Sequence, residues 1–328
     1  MPTVKAFVTG ATGFIGGRVV RRLRDRGDEV VALVRSPKKA TELSQLGCEL
    51  IEGDLSSTEA IRKGIDGCDA VFHVAAVYKV GIPKSEHEAM YDANVSGTER
   101  VLDAAIEAGV GKIVYVSTVA VFGNTNGEVV DEGFRRNQSN GGEFLSYYDE
   151  TKFRSHEVAL DRIAKGAPIV IVQPGGVYGP GDHSELGNMI DQANTGKLKL
   201  KMFPGAGFTL VHVEDVADGI LLAYDKGETG QAYVLGGEIT KMGHLVDKVC
   251  ELSGRKSPGH ELPPTLMKLA IPIGPLVGKA MGFPPNLREL IKTSDGVTFW
   301  ASSEKAREQL GYSPRDLDTG LRETLSDS

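Results

Sequence analysis

The sequence predicts an α/β protein: a doubly wound parallel sheet followed by a smaller, mainly helical substrate domain towards the C-terminus. Two observations favour this fold class. Patterns typical of buried strands alternate with patterns typical of amphipathic helices from residue 4 to residue 173. A glycine-rich turn joins the first strand pattern to the first helix pattern, as in a βαβ unit. After Pro174 the alternation breaks, and from residue 241 the chain is mainly helical in pattern.

The first βαβ unit spans residues 4–35. Residues 4–9 are mostly apolar and partly β-branched, which indicates a buried strand. Glycines then allow a tight turn in which backbone N–H groups approach a pyrophosphate, at the positive N-terminus of a helix that begins near Phe14. Gly27 ends this helix, and a second strand is predicted over 29–34. We therefore expect a dinucleotide at this turn, bound by Gly10, Thr12, Gly13, Phe14, Ile15 and Gly16.

The remaining elements continue the alternation. Further strands are predicted over 49–52, 70–74, 112–117, 169–173, 210–213 and 232–235. Helices are predicted over 38–46, 58–65, 86–108 and 148–165, with another that Asp215 caps. Ligands of such sheets bind at the carboxyl ends of the strands. We expect a nucleotide-binding domain over 1–174 and about 208–235, and a substrate-binding domain over about 175–207 and 236–328.

The composition excludes several classes of protein. A formal charge of −7 and the lack of a polybasic run argue against nucleic-acid binding. The cysteines at 48, 68 and 250 lack the spacing of metal ligands, so we expect a reduced, cytoplasmic protein without a metal site. Prolines and lysines interrupt the most apolar segment, 262–283, which argues against stable membrane insertion. A buried pair of lid helices is the favoured interpretation of this segment, and contact with lipid is the alternative.

A tyrosine and a lysine supply candidate chemistry. Tyr148 and Lys152 are four residues apart on a predicted helix and therefore share one face. A phenol has a pKa near 10, and an ammonium about 4 Å away in an effective dielectric near 20 is worth roughly 4 kcal/mol, or about three pK units. Such a shift would bring the pKa of Tyr148 close to neutrality, where proton transfer is most efficient. Tyr147 cannot form this pair, because its fourth neighbour is Thr151.

These features resemble the short-chain dehydrogenase/reductase superfamily, in particular its extended branch of reductases, epimerases and dehydratases. The resemblance rests on TGATGFIG (9–16), the Y-x-x-x-K pair, PGGVYGPGD (174–182), LVHVEDVADG (210–219) and ASSEKAREQLGYSP (301–314). It implies a Rossmann-type fold in which Tyr148 and Lys152 are catalytic and also contact a nicotinamide cofactor. In VYVSTVAVFG (114–123) it implies that the Thr118 hydroxyl holds the substrate oxygen, with Ser117 as the alternative.

The resemblance implies roles for other residues. Asn94, in DANVSGT, would help to organise a proton-relay water near the lysine, and a packing role is the alternative. Asp54 would face the adenine amino group, and capping of a helix is its alternative. His73 is expected to be a packed strand residue rather than a ligand or base. Further cofactor contacts are implied for Leu55, Val74, Ala75, Ala76, Pro174, Gly175 and Val177.

The end of the second strand bears on the choice of cofactor. NAD-binding sheets carry an acidic residue there for the ribose 2′-hydroxyl, whereas this chain has Arg35, Lys38 and Lys39. A guanidinium suits a 2′-phosphate, because it binds bidentately and stacks on adenine. We therefore favour NADP(H), with NAD(H) possible, and a solvated loop as the remaining interpretation.

Two features favour a carbonyl reductase resembling the dihydroflavonol reductase and cinnamoyl-CoA reductase group. One is the basic cluster at Arg35, since reductases draw on NADPH. The other is the sequence GFTL at 207–210, where nucleotide-sugar enzymes generally place an arginine on the diphosphate. We expect hydride reduction of a ketone or aldehyde, with Tyr148 as proton donor. The alternatives are a nucleotide-sugar epimerase or dehydratase with tightly bound NAD, and a non-catalytic cofactor-binding protein.

The substrate and the assembly are predicted more coarsely. We expect a mostly apolar small molecule as the carbonyl or alcohol substrate. Each of its predicted wall residues is equally an ordinary core residue: Val77, Tyr78, Phe122, Tyr178, and Met202 or Phe203. The resemblance implies a homodimer paired through the helices predicted over 86–108 and 148–165.

Overall fold

The structure is a computed structural model that describes residues 3–136, 142–263, 265, 268, 271 and 286–326. Its strands are numbered in chain order. The central sheet contains β1 (Lys5–Thr9), β2 (Glu29–Val34), β3 (Glu49–Glu52), β4 (Ala70–His73), β5 (Lys112–Val116), β6 (Ile169–Pro174) and β10 (Ala232–Leu235). A second sheet contains β7 (Gly176–Tyr178), β9 (Gly207–His212), β11 (Glu238–Lys241) and β13 (Thr298–Phe299). Two short strands, β8 (Lys201–Met202) and β12 (Glu261–Leu262), pair with each other.

The described helices are also numbered in chain order. The first six are α1 (Gly16–Asp25), α2 (Thr41–Gln45), α3 (Thr58–Ile65), α4 (His87–Tyr91), α5 (Gly97–Glu107) and α6 (Tyr147–Ala164). They are followed by α7 (Glu185–Asn194), α8 (Val213–Lys226), α9 (Met242–Leu252), α10 (Leu287–Ser294), α11 (Glu304–Leu310) and α12 (Leu317–Ser326). A π-helical turn, Asp92–Ser96, joins α4 to α5.

The central sheet is parallel throughout, in the order β3-β2-β1-β4-β5-β6-β10. Helices cover both faces: one apolar core joins the sheet to α1, α8 and α11, and the other joins it to α3, α5 and α6. The direction of winding reverses between β1 and β4, and this switch point is where ligands of such sheets bind. The predicted fold class, a doubly wound parallel sheet of the Rossmann type, is confirmed.

Local differences from the prediction have physical causes. The predicted helix over 38–46 is divided into a 3₁₀ turn, Pro37–Lys39, and α2, because Ala40 leaves helical geometry between them. His212 rather than Asp215 caps α8, with its imidazole accepting from the backbone N–H of Glu214. The Asp215 carboxylate instead binds Arg315 at 3.0 Å.

The later part of the chain forms more sheet than its sequence pattern predicts. β9 begins at Gly207, three residues before the predicted strand, and pairs with β7, β11 and β13 instead of the central sheet. β10 returns to the central sheet beside β6. The division into two domains stays a prediction. The apolar segment 262–283 lies mostly outside the described residues, and within those residues no helix is both long and apolar enough to cross a bilayer.

Candidate active site

The glycine turn and the segment after β4 meet at the switch point. Gly10 follows β1 with a φ of +73°, and a Cβ there would lie 2.8 Å from the backbone nitrogen of Ala75. That nitrogen donates to Thr9 Oγ1 at 3.2 Å. Glycine is therefore required at position 10 both by its backbone conformation and by the close approach of the neighbouring chain.

The turn presents free backbone donors at the start of α1. Gly13 N donates to Gly10 O at 2.8 Å, and a Cβ on Gly16 would collide with the same carbonyl oxygen. Across the described chain, the N–H groups of Phe14 and Ile15 have no protein acceptor. Free amides at the positive end of a helix, beside glycines that have no side chain in the way, fit the pyrophosphate of a dinucleotide.

The start of α6 places the tyrosine and lysine of the Y-x-x-x-K pair. Ser146 caps this helix by accepting from Asp149 N at 3.0 Å. Lys152, one turn into the helix, is 3% exposed, and its Nζ donates to Val116 O at 3.1 Å and to Tyr115 Oη at 3.5 Å. The ammonium of Lys152 is thereby held against the carboxyl end of β5, and the half-buried Tyr148 lies one turn earlier on the same helix.

The acidity of Tyr148 differs from the expectation. Burial raises the pKa of Tyr148, and the neighbouring Tyr78, Tyr115 and Asp149 act in the same direction. The prediction that Lys152 brings this pKa close to neutrality is therefore wrong for the chain by itself, where the ammonium is engaged by β5. The consequence is a phenol that stays protonated, which is the form that a proton donor needs.

Two hydroxyl side chains, Ser117 and Thr118, follow β5, and they differ in their hydrogen bonds. Ser117 is buried, and its Oγ is hydrogen-bonded to His156 Nδ1 at 2.9 Å. Thr118 Oγ1 accepts from Ala120 N at 3.2 Å, and its O–H reaches no acceptor within the residues that the structure describes. Of the two, Thr118 keeps a donor for a substrate oxygen.

The side chain of Asn94 connects the segment after β4 to α6. Its side chain is buried in the π-helical turn, where Oδ1 accepts from Val77 N at 2.7 Å and Nδ2 donates to Val77 O at 3.0 Å. Nδ2 also donates to Thr151 Oγ1 on α6 at 3.0 Å. These contacts correspond to the packing alternative, and the proton-relay role stays a prediction.

Asp54 and Arg35 lie where the adenosine part of a dinucleotide is expected. Asp54 does not cap α3, because the N-cap of that helix is Ser57. The Asp54 carboxylate is nevertheless hydrogen-bonded: Oδ1 accepts from Ser56 N at 2.9 Å and from the hydroxyls of Ser56 and Ser57. The Ser56 hydrogen bonds, and then the Arg35 guanidinium, hold the pKa of Asp54 below its usual range. Arg35 itself is exposed, without a hydrogen bond or ion pair in the described part of the chain.

The other predicted cofactor residues surround the same edge of the sheet. Leu55 packs against α5, since a Cβ on Gly97 would lie 2.8 Å from Leu55 Cβ. Pro174 ends β6, and Gly175 passes so close to Thr209 O that a side chain would collide with it. Val177 pairs with β9, and Val74, Ala75 and Ala76 follow β4.

His73 is a packed strand residue, as expected. Its Nδ1 is 2.8 Å from Thr9 Oγ1 and its Nε2 is 3.0 Å from Thr98 Oγ1. Thr98 gives its own proton to Asn94 O at 2.7 Å, so it accepts from the imidazole. Burial, together with the charge of Lys152, lowers the pKa of His73 to about 3.

A cavity of about 360 Å³ opens beside Tyr78. The Tyr78 ring lies edge-on to the Tyr148 ring, with centroids 4.8 Å apart. Of the predicted wall residues only Tyr78 lines this cavity, whereas Phe122, Tyr178 and Phe203 are buried in apolar clusters. The lining residues are Tyr78, Lys79, Val80, Gly81, Ile82, Pro83, Glu86, His183, Ser184, Glu185 and Asn188.

Two charged residues beside Tyr148 were missed by the sequence analysis. Asp149 follows the tyrosine directly, and Arg136 binds its carboxylate from the preceding loop. Asp149 could have been noticed as the charged neighbour of the catalytic candidate, but nothing in the sequence pairs it with Arg136.

The parallel sheet, the glycine turn and the Tyr–Lys pair together define an oxidoreductase of the extended short-chain type. Residues 6–236 match the model of the NAD dependent epimerase/dehydratase family, and the chain belongs to that family. The resemblance found in the sequence is thereby confirmed.

Named relatives cover nearly the whole chain. A Synechocystis sp. protein provisionally named as a dihydroflavonol 4-reductase is 30% identical, covering 97% of this chain and 93% of its own length. A 2-alkyl-3-oxoalkanoate reductase of Stenotrophomonas maltophilia is also 30% identical, covering 99% of each chain. The family of this chain therefore includes proteins named as reductases.

Solved structures share the complete fold. The crystal structure of gox2253 has a TM-score of 0.84 at 33% identity, covering 99% of this chain and 98% of its own. MoeE5 in complex with UDP-glucose and NAD has a TM-score of 0.75 at 25% identity, covering 98% and 97%. A nicotinamide dinucleotide is thus a ligand of this fold.

Proposed function

We propose that this chain is an NADP(H)-dependent oxidoreductase that reduces a ketone or aldehyde of a mostly apolar small molecule. One observation carries the proposal: Lys152 Nζ donates to Val116 O at the end of β5, two residues before Thr118, and Tyr148 lies one turn before Lys152 on α6. Gly10, at the end of β1, lies on the same edge of the sheet, so the nucleotide turn and the proton donor face one cleft.

The residues of the site divide the reaction between them. A reduced nicotinamide, when bound at the glycine turn, would supply the hydride for the carbonyl carbon. Tyr148 then donates its phenolic proton to the carbonyl oxygen, which gives the alcohol and leaves a phenolate. The Thr118 hydroxyl donates a hydrogen bond to the same oxygen as its negative charge develops. A proton from solvent then restores the phenol, and the buried ammonium of Lys152, one helical turn further along α6, adds a positive charge to the site.

Arg35 supports the choice of NADP(H). Its guanidinium is exposed at the end of β2, close enough to Asp54 to lower the pKa of that carboxyl. An arginine without a protein partner can bind a 2′-phosphate bidentately. NAD(H) remains the alternative, in line with the NAD in the MoeE5 complex.

The cavity beside Tyr78 supports the substrate class. Tyr78, Val80, Ile82 and Pro83 give it apolar walls, and charged and polar side chains lie around them. The apolar walls suit the carbon skeleton of a small organic molecule, and the polar side chains suit its oxygen atoms. The relative named 2-alkyl-3-oxoalkanoate reductase points to a ketone.

The nucleotide-sugar alternative rests on likeness to MoeE5, which is complexed with UDP-glucose. The positions where an arginine would bind the diphosphate do not favour it here. Phe208 stacks on Phe299 with ring centroids 5.8 Å apart. Thr209 is fully buried and accepts from Ala301 N at 2.9 Å. Neither side chain offers a cation to a phosphate.

The test follows NADPH oxidation at 340 nm with a panel of ketones and aldehydes. We expect turnover that falls at least about 100-fold in Tyr148→Phe, because a positioned general acid contributes a factor of that size or more. Binding of NADPH, measured by nicotinamide fluorescence, should persist in the variant. Copurification of NAD with stabilisation by UDP-sugars would instead favour the epimerase alternative, and NADPH binding without turnover of any carbonyl would favour a non-catalytic protein.

We also propose the two-domain division predicted above, a cytoplasmic location and a homodimer. The helices that would pair are α4, α5 and α6. Tyr91 and Ile106 lie on the first two of them and are each 38% exposed, so the helices of a second copy would cover them. Light scattering should give twice the chain mass, and Ile106→Glu should lower it.

A further inference from the structure

A buried ion pair joins the first turn of α6 to the loop before it. Arg136 Nη1 is 2.7 Å from Asp149 Oδ1, and Nη2 is 2.9 Å from Asp149 Oδ2. Each of the two side chains is 4% exposed. The guanidinium therefore binds the carboxylate through two parallel hydrogen bonds, a geometry that fixes direction as well as distance.

Both members of this pair also contact the residues that directly precede the helix. Arg136 also donates to Gly142 O at 3.3 Å and to Glu143 O at 2.7 Å, and it lies 4.6 Å from the centroid of the Phe144 ring. Leu145 N donates to the Asp149 carboxylate at 2.8 Å. The guanidinium and the carboxylate thus hold residues 142–145 against the first turn of the helix.

Net stability does not require such a pair. Desolvation of two buried charges offsets most of their attraction, so apolar residues of similar volume often stabilise a fold equally well. A bidentate pair instead restricts its two side chains to one relative orientation. Asp149 directly follows Tyr148, so the residue whose geometry is fixed is the neighbour of the proposed proton donor.

We propose that Arg136 is a positioning residue for Tyr148: by holding the Asp149 carboxylate it fixes the turn of α6 that presents the phenol to the cleft. The function of the phenol itself rests on the proposed reductase activity. The positioning does not, because it concerns the side chains of the free chain.

Charged and titratable side chains from several elements face this turn of α6. Asp149 is approached by Arg136 from the loop and by Lys292 from α10. Tyr148 is approached by Tyr78 from the segment after β4, by Tyr115 from β5 and by Asp149 from its own helix. The negative charge of Asp149 disfavours the phenolate of Tyr148, and Arg136 offsets that charge.

The activity test compares Arg136→Met with a matched control on the same helix. Arg162 binds Asp103 through two hydrogen bonds of 2.9 and 3.0 Å near the far end of α6. We expect kcat to fall about 100-fold in Arg136→Met, as for a misplacement of about 1 Å, with the Kd for NADPH unchanged. Arg136→Lys keeps the charge without the two parallel bonds and should be intermediate, and Arg162→Met should match the unaltered protein. Equal kcat in Arg136→Met and Arg162→Met would overturn the proposal.

A double variant separates positioning from the harm done by an unpaired buried charge. Arg136→Met leaves the Asp149 carboxylate buried alone, whereas Arg136→Met/Asp149→Asn removes both charges. The proposal expects the midpoint of thermal unfolding to recover in the double variant while kcat stays low. Recovery of kcat along with the midpoint would show that Arg136 only neutralises a charge.

A spectroscopic test needs no substrate. The chain has nine tyrosines, and with ¹³Cζ-labelled tyrosine the Tyr148 resonance is assigned by its loss in Tyr148→Phe. We expect Arg136→Met and Arg136→Lys to shift this resonance, and Arg162→Met to leave it in place. In Asp149→Asn the phenol should titrate at lower pH. An unmoved resonance in folded Arg136 variants would refute positioning, whereas a shift in a chain without carbonyl turnover would refute only the proposed activity.

Discussion

The ring of Tyr78 lies edge-on to the ring of Tyr148, with centroids 4.8 Å apart and an angle of 86° between their planes. Tyr78 is 55% exposed and lines the cavity. Its ring therefore lies between that cavity and Tyr148, the proposed proton donor. The residue before it, Val77, is hydrogen-bonded through both its N–H and its C=O to Asn94. Asn94 therefore fixes the approach of Tyr78 to the site.

Removing the Tyr78 ring should weaken substrate binding more than cofactor binding. An edge-on aromatic pair contributes about 0.5–1.5 kcal/mol beyond its buried area. We expect Tyr78→Ala to raise KM for the carbonyl substrate by up to about 10-fold and to leave KM for NADPH unchanged, and Tyr78→Phe to resemble the unaltered enzyme. Steady-state kinetics with each substrate varied in turn provide the measurement. A parallel rise of both KM values would show that the ring supports the whole cleft instead.

Neighbouring glycines in α1 provide a matched pair of substitutions. A Cβ at position 16 collides with Gly10 O, whereas one at Gly17 lies 3.5 Å from Ala11 O, an ordinary contact. We expect Gly16→Ala to distort the turn and to weaken NADPH binding by more than about 100-fold, since the amides at the helix start lose their arrangement. Gly17→Ala should bind normally. Fluorescence titration measures both, and equal affinities in the two variants would contradict the pyrophosphate assignment.

The nucleotide-binding half of the fold could be predicted from the sequence because its evidence is local. The strand before Gly10 and the helix after Gly16 follow from apolar periodicity and from where glycine allows a turn. β1 through β6 lie within a residue of their predicted bounds. By contrast, β9 leaves the central sheet to pair with β7, β11 and β13, and strand partners at such separations leave no pattern in the sequence.

The site shows the same division between local and long-range information. The Tyr148–Lys152 pair follows from helical spacing, but the expected acidity of the phenol was wrong because β5 engages the lysine and burial dominates. Arg136 and Asp149 are 13 residues apart in the sequence, and only the folded chain brings them together. For Phe122 the sequence left a substrate wall and the core as equal alternatives, since apolar type alone does not distinguish them, and at 4% exposure it belongs to the core.

Arg35 should decide which nicotinamide dinucleotide is used. Hydrogen bonds to charged groups contribute about 1.5–3 kcal/mol, so we expect Arg35→Ala to weaken NADPH binding about 10- to 100-fold and to change NADH binding little. Arg62→Ala is the control, because Arg62 is an exposed arginine paired with Glu107 at a distance from the glycine turn. Titrations with both cofactors provide the measurement. An NADH preference in the unaltered protein, or NADPH affinity that survives Arg35→Ala, would overturn the assignment of NADP(H).

Three buried histidines should make the fold sensitive to acid. Burial, and then the charge of Lys152, lower the pKa of His73 to about 3 and that of His156 to about 4. Burial, and then the charge of Arg315, lower the pKa of His212 to about 4. An unfolded histidine has a pKa near 6.5, so below that pH the unfolded chain takes up protons that the folded chain refuses. The free energy of unfolding should be fully retained above pH 6.5 and fall by about 2 kcal/mol per buried histidine by pH 5. Urea denaturation at several pH values measures this slope. His73→Gln should reduce it and substitution of the exposed His183 should not, whereas equal slopes in all three proteins would mean that other groups cause the acid sensitivity.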